Sequence, residues 1–424
     1  MRIHRLDNQV MAYPWGSVDG LSKTLDIGNP GSGPRAELWM GAHPRGASEL
    51  ILPEGRLGLD EAIARDPEGM LGADCLARFG TQLPFLFKAL SAERPLSIQV
   101  HPDKGRAEEG FDRENSAGIP VDAPTRNYRD PNHKPEVSVA LLHFEALSGF
   151  RPIREIVAFL PLYAMSGISK NLERLASGPS RVELSMFFQS LLTLGAEDRA
   201  KLLENLLAKV TAALGSESLS AADRSTFVWV RRLAELWPGD IGAVMPLLLN
   251  HLVLEPGQGT YIAPGEPHAY LVGTCLELMA NSDNVIRGAL TEKHIDMMEF
   301  ISALSFSAGR PRLLDPGPGA GAGPGAGECV YACPVEDFLL SAVRPGTAVP
   351  VEVAATGPEI VLVGEGRIIL HSRGGTLELH RGQSAFVQAD AGNYEFQGEG
   401  LLWRAGLGVA QAPGAATPEA TAQP

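Results

Sequence analysis

Over the first 150 or so residues the apolar positions come in short runs, such as Leu50 to Leu52, Leu96 to Val100 and Val137 to Leu142, set between Gly, Pro, Asn and Asp. Runs of that kind predict short strands joined by irregular loops. Helices are expected around Leu59 to Ala64 and through Asp74 to Phe79. From Ile153 to about Leu236 the period changes. Leu202, Leu203, Leu206, Leu207, Val210 and Leu214 recur at helical spacing, and Phe227, Val230, Leu233 and Leu236 repeat it. This predicts several inserted helices, with Met186 and Phe187 read as core.

From Met245 the strand texture returns. VLEPGQGTYIAPGEPHAYL reads as three strands separated by tight turns, and Phe338 to Leu407 alternates in short runs that suit a small antiparallel sandwich or barrel. Between them, Gly309 to Glu328 is too rich in Gly, Pro and Ala to bury a core and reads as a linker. The expected organisation is a β unit over 1–152 and 245–308, a helical insert over 153–244, a linker over 309–328, a second β unit over 329–410 and a disordered tail over 411–424. The fold class is therefore mainly β with a helical insert. VLEPGQGTYIAPGEPHAYL and LELHRGQSAFVQADAGNYEF share a strand, a Gly-Gln turn and two further strands, as a duplicated jelly-roll would. The second copy lacks a histidine matching His268, so only the first could hold a metal.

Charge narrows the partners. A formal net charge of -14 disfavours nucleic acid and anionic membranes, which need a basic face, but leaves room for a small anion met by a few local cations. The four cysteines, Cys75, Cys275, Cys329 and Cys333, are scattered and form no CxxC pair, which suits a reducing compartment. The N-terminal segment has no apolar signal-peptide core, and no run is long enough to span a bilayer. A cytoplasmic protein is the expectation.

Four segments carry candidate chemistry. In LSIQVHPDK, strand alternation puts Gln99 and His101 on one face, offering an amide oxygen and an imidazole nitrogen; taken alone, the pair reads first as an ordinary strand surface. In NHKPEVSVALL, Glu136 enters an apolar strand just after Pro135, a costly place for a carboxylate unless Lys134 or a cation pairs with it. In APGEPHAYL, a rigid turn delivers His268 to a strand start, where it is either a ligand or a plain turn histidine. Two imidazoles, a carboxylate and an amide oxygen would suit Zn²⁺, or Mn²⁺, Fe²⁺ or Co²⁺. The fourth segment, residues 276 to 296, gathers Glu277, Asp283, Asn284, Arg287, Lys293 and His294, with Arg287 free either to meet an anion or to pair structurally with an aspartate.

These segments, together with QVMAYPWGS, AELWMGAHPRGAS, LPFLFKALSAERPLSIQVHPDK, NYRDPNHKPEVSVAL, FEALSGFRP and NSDNVIRGAL, closely resemble type I mannose-6-phosphate isomerases over residues 7–151 and 248–300. The resemblance implies cupin-like jelly-roll barrels and one Zn²⁺ held by Gln99, His101, Glu136 and His268. It implies Arg287, Lys134, His133 and Asp283 as catalytic groups, and Lys88, Ser97 and Glu277 as substrate contacts. RGAL, after Val285 and Ile286, departs slightly from the family's R-A-G-L order beside Arg287. The implied reaction interconverts mannose 6-phosphate and fructose 6-phosphate through a cis-enediol, in a monomer whose partner is a small hexose 6-phosphate. The alternatives are a non-catalytic sugar-phosphate binder of the same fold and an iron oxygenase; the fourth ligand, Gln99, disfavours the latter.

Overall fold

A computed structural model describes residues 2–28, 31, 33–162, 168–315 and 327–408. Two antiparallel sheets of ten strands each dominate it, with helices packed around them. The first sheet runs Leu313–Leu314, Gly259–Ile262, Glu136–Phe150, His268–Ala280, Phe85–Ala92, Glu37–Met40 and Gln9–Met11. Leu249–Leu254 pairs with Glu136–Phe150, while Ile98–Val100 lies between His268–Ala280 and Ile286–Ala289.

The long strand His268–Ala280 cannot be straight. Tyr270 and Glu277 sit on it about 23 Å apart by strand rise, yet their side chains meet at 2.7 Å. The bend falls at Gly273, where the register against Glu136–Phe150 shifts. Its φ of +114° is open to glycine, and a Cβ there would lie 2.2 Å from the His143 carbonyl oxygen. The sheet thus curls until its two ends face each other, and that curl brings His268 and Glu136 together across the interior.

The second sheet places Glu328–Tyr331, Leu339–Val343, Asn393–Gly406, Glu359–Ser372 and Ser384–Val387 in order, then continues into Ile3–Asp7, Glu49–Leu52 and Gly55–Gly58. Strands from the first 60 residues thus enter both sheets. Ile3 pairs with Val387 and Leu6 with Ser384, burying Ile3 and Leu6 and capping what would otherwise be an open sheet edge. The expected linker differs at its start. Leu313 and Leu314 pair with Thr260 and Gly259 and extend the first sheet. Residues 316–326 of that linker and the expected tail lie outside the described residues.

The two predicted early helices are present as Leu59–Arg65 and Pro67–Phe79. The helical stretch resolves into Ile153–Ala158, Ser169–Ser177, Arg181–Leu192, Ala196–Leu214 and Ala221–Leu236. Ser180 and Ser220 cap two of these by accepting from the backbone N–H three residues on. Leu202, Leu206, Val210, Phe227, Val230 and Leu233 share one core with Leu147, Phe150 and Leu271 of the sheet. Phe187 is buried as expected, but Met186, one residue and about 100° around the helix axis away, is exposed.

Candidate metal centre and its cavity

Three neighbouring strands align His268, Gln99 and Arg287 in one cross-strand row, since His268 pairs with Gln99 and Gln99 with Arg287. His101 follows two residues after Gln99, and Glu136 opens the strand that curls round from the far side. His101 Nε2 lies 3.2 Å from Glu136 Oε1 and His268 Nε2 3.6 Å from Glu136 Oε2. The Gln99 amide ends 3.1 Å from His268 Nε2. One donor atom from each of His101, Glu136 and His268 falls within 4.8 Å of the others, and all three residues are buried.

The imidazole tautomers follow from their second contacts. His101 Nδ1 lies 2.7 Å from the Asn284 carbonyl oxygen and His268 Nδ1 3.0 Å from that of Glu266. A carbonyl only accepts, so each Nδ1 carries the proton and each Nε2 turns a lone pair toward Glu136. Burial, reinforced by the Lys134 ammonium, pushes His101 down to about 3, and burial lowers His268 as well. Burial alone would raise Glu136, but Lys134, 3.0 Å away, together with the two histidines holds it well below the usual carboxylate range. His101 Nε2 is buried with no hydrogen-bond partner. A neutral, partnerless imidazole nitrogen beside a second one and a carboxylate is what a divalent cation satisfies. Turning the Gln99 amide would add an oxygen donor.

The centre opens onto a cavity of about 580 Å³ lined by Lys88, Gln99, Lys134, Glu136, Glu277 and Arg287 among others. Below it runs a buried polar chain. Lys88 Nζ donates to Glu277 Oε2 at 3.0 Å and sits 3.8 Å from Glu37. Tyr270 donates to Glu277 Oε1 at 2.7 Å, Ser138 Oγ lies 2.6 Å from the same phenol, and Glu136 Oε2 is 3.5 Å from it. Burial works against the Lys88 ammonium, but Glu277, Glu37 and Glu136 hold it well above its ordinary range.

The cavity rim is cationic. Among the described residues, Arg129, Arg287 and Lys293 line it with no carboxylate at ion-pair distance. Burial lowers Arg287, with Arg129 adding to it, and burial lowers Lys293, with Arg287, Arg129 and Arg45 adding to it. Asp122, Asp283 and Glu292 line the same cavity, but none pairs with these three cations, which are left able to meet an anion. Asp283, on the same rim, is taken up by His43 Nε2 at 3.3 Å and by Arg45. Burial would raise Asp283, but these partners bring it down to about 2, so it stays anionic at neutral pH.

The eleven residues singled out from sequence therefore separate. Gln99, His101, Glu136 and His268 converge; Arg287, Lys134, Asp283, Lys88 and Glu277 line the cavity they open onto. Ser97 is half-buried and outside that lining. His133 faces a different cavity and pairs with Asp337. Sequence reasoning missed Tyr270, Glu37 and Arg129, and named Asn284 without its role of holding His101. Tyr270 had a signal, standing two residues after His268 and so on the same strand face. The hold of Asn284 on His101 left no signal, because it runs through the main-chain carbonyl.

Fold and site together define a β-sheet protein with one buried site for a divalent metal at the base of a cation-rimmed cavity. The model of the phosphomannose isomerase type I catalytic domain matches residues 3–153. Mannose-6-phosphate isomerase of Salmonella typhimurium is 39% identical over 95% of this chain and 99% of its own, and the Homo sapiens enzyme is 33% identical over 92% and 94%. A crystal structure of a zinc-bound mannose 6-phosphate isomerase superposes with a TM-score of 0.85 at 38% identity, covering 96% of this chain and 100% of that one. The chain belongs to the type I phosphomannose isomerase family.

Proposed function

We propose that this protein interconverts mannose 6-phosphate and fructose 6-phosphate, with one Zn²⁺ held by Gln99, His101, Glu136 and His268. The observation that carries the proposal is the buried His101 Nε2 without a hydrogen-bond partner, aimed with His268 Nε2 at Glu136, which lines the same cavity as Arg129, Arg287 and Lys293. A zinc ion bound there supplies Lewis-acid stabilisation of the charge that develops on the sugar oxygens.

The remaining roles fall to this chain's own groups. Arg129 and Lys293 hold the phosphate at the rim, which leaves the reacting end of the sugar over Gln99 and Glu136. Arg287, beside Gln99 in the cross-strand row, faces the enediolate oxygens. Glu277 carries the proton between C2 and C1, oriented by Tyr270 and by the Lys88 ammonium. Lys134, an ammonium 3.0 Å from Glu136, is the donor to a sugar oxygen during ring opening. Asp283, already engaged by His43 and Arg45, orients the rim. A sugar-phosphate binder without catalysis would use the cationic rim but has no use for the ion-holding residues below it.

The curled first sheet fits a cupin-like jelly-roll, and the second sheet fits a metal-free duplicate of it. A cytoplasmic location accords with the four free cysteines.

The test is elemental analysis of the purified protein beside a mannose 6-phosphate turnover assay, with and without chelator. One equivalent of zinc, and turnover lost to chelator and regained with Zn²⁺, are expected. His268→Ala should lose both metal and turnover; full turnover by metal-free His268→Ala protein rules the assignment out.

A further inference from the structure

We infer that the His133–Asp337 pair is a clasp through which the second sheet fixes the segment that delivers Lys134 and Glu136, so that His133 is a positioning residue and not a proton carrier. The inference builds on the proposed isomerase centre. His133 Nε2 donates to both oxygens of Asp337, at 3.2 and 3.0 Å, across 204 residues of sequence. Asp337 stands in the connection between Glu328–Tyr331 and Leu339–Val343, two neighbouring strands of the second sheet. Both residues line a separate cavity of about 900 Å³, with Pro135, Tyr261, Pro264 and Pro334, and His133 is absent from the lining of the metal-centre cavity.

Local chain geometry explains how a contact on one side acts on the other. Lys134 precedes Pro135, and a residue before proline is confined to extended conformations. In extended chain, neighbouring side chains point to opposite faces. His133 therefore faces the second sheet while Lys134 faces Glu136, two residues on. Upstream, Asn284 Nδ2 donates to the carbonyls of Asp130 and Asn132, and downstream the Ala280 N–H donates to that of Pro135. Between these two main-chain ties, the side chain of His133 anchors the segment to the second sheet. With it gone, the Lys134 ammonium loses its fixed approach to Glu136 Oε1, and with it the charge partner that the ion-holding carboxylate has within the chain.

The experiment compares four single variants and one double variant in the zinc-loaded full chain. His133→Ala and Asp337→Ala should each lower kcat about tenfold with KM for mannose 6-phosphate within about twofold, and should release zinc to a chelator several-fold faster. The double variant should be no worse than either single one, since both remove the same contact. His133→Gln and Asp337→Asn keep a donor and an acceptor, and should stay within about threefold of the unaltered protein. His133→Gln as inactive as His133→Ala would overturn the inference and make His133 a proton carrier. Asp337→Ala with unaltered kcat and zinc release would overturn it too. If the alanine variants fail to fold, His133→Gln alone still decides between positioning and proton transfer. Unaltered protein that holds zinc but turns over no sugar phosphate would sink the proposed function, while the zinc-release rates would still test the clasp.

Discussion

Arg287 is the side chain on which chemistry and holding can be separated. It is a cross-strand neighbour of Gln99 but not one of the ion-holding residues, and its guanidinium has no carboxylate partner among the described residues. Arg287→Ala should therefore keep its zinc by elemental analysis while kcat falls about 10²-fold, the usual loss when one preorganised donor to a developing oxyanion is removed. Unchanged kcat takes Arg287 out of the mechanism. At this scale much of the centre was legible in the sequence. Gln99 and His101 obey strand alternation, Glu136 is an anomalous carboxylate in an apolar run, and His268 follows a rigid turn. Asn284 and His133 were not legible in their structural roles. Asn284 holds His101 through a backbone oxygen and His133 meets a partner 204 residues away, and neither contact leaves a local pattern.

Two elements carry the mechanical demands of the site. The curl of His268–Ala280 rests on Gly273. Gly273→Ala would place a methyl group against the His143 carbonyl in a backbone conformation that side chains avoid, costing about 3 kcal/mol or more. A denaturation midpoint within error of the unaltered protein would show that the bend does not depend on glycine. The helical insert meets the first sheet at Glu145, which accepts from His251 Nε2 at 2.8 Å and from Trp229 Nε1 of helix Ala221–Leu236 at 2.6 Å. Burial would raise Glu145, yet these bonds and one from His143 bring it down to about 2. A carboxyl depressed on folding stabilises above its unfolded pKa, and that contribution is lost as pH falls through its folded one. Stability should thus decline from about pH 4.5 toward about 2, by up to about 3 kcal/mol. Glu145→Gln should flatten that part of a stability-against-pH curve, and an unchanged slope would remove Glu145 as its source.

At the scale of the whole molecule the two sheets are not separate units. Leu6 and Leu50 from the start of the chain, Phe85, Phe87, Leu276 and Leu278 from the first sheet, and Leu362, Phe386 and Trp403 from the second belong to one apolar core. Cutting the chain at the Gly-rich stretch, before residue 327, should strip Ser384–Val387 from Ile3–Asp7, leave the three-stranded ribbon of Ile3–Asp7, Glu49–Leu52 and Gly55–Gly58 with an open edge, and yield insoluble protein. A soluble, zinc-binding fragment of 1–315 would show that the first sheet closes alone. The texture of the sequence foretold strands, helices and the change between them, because periodicity is local. It could not foretell that Ile3–Asp7 joins Ser384–Val387, since the pairing of distant strands is chosen by burial and backbone hydrogen bonds that adjacent residues do not encode.

That seam sets a timetable for biosynthesis. A ribosome adds about 5–20 residues per second, so Ile3–Asp7 waits roughly 20–80 s for the strand that completes it. Every ion-holding side chain has been synthesised well before then. The nascent protein must keep an early, half-apolar ribbon from aggregating until its last strands emerge.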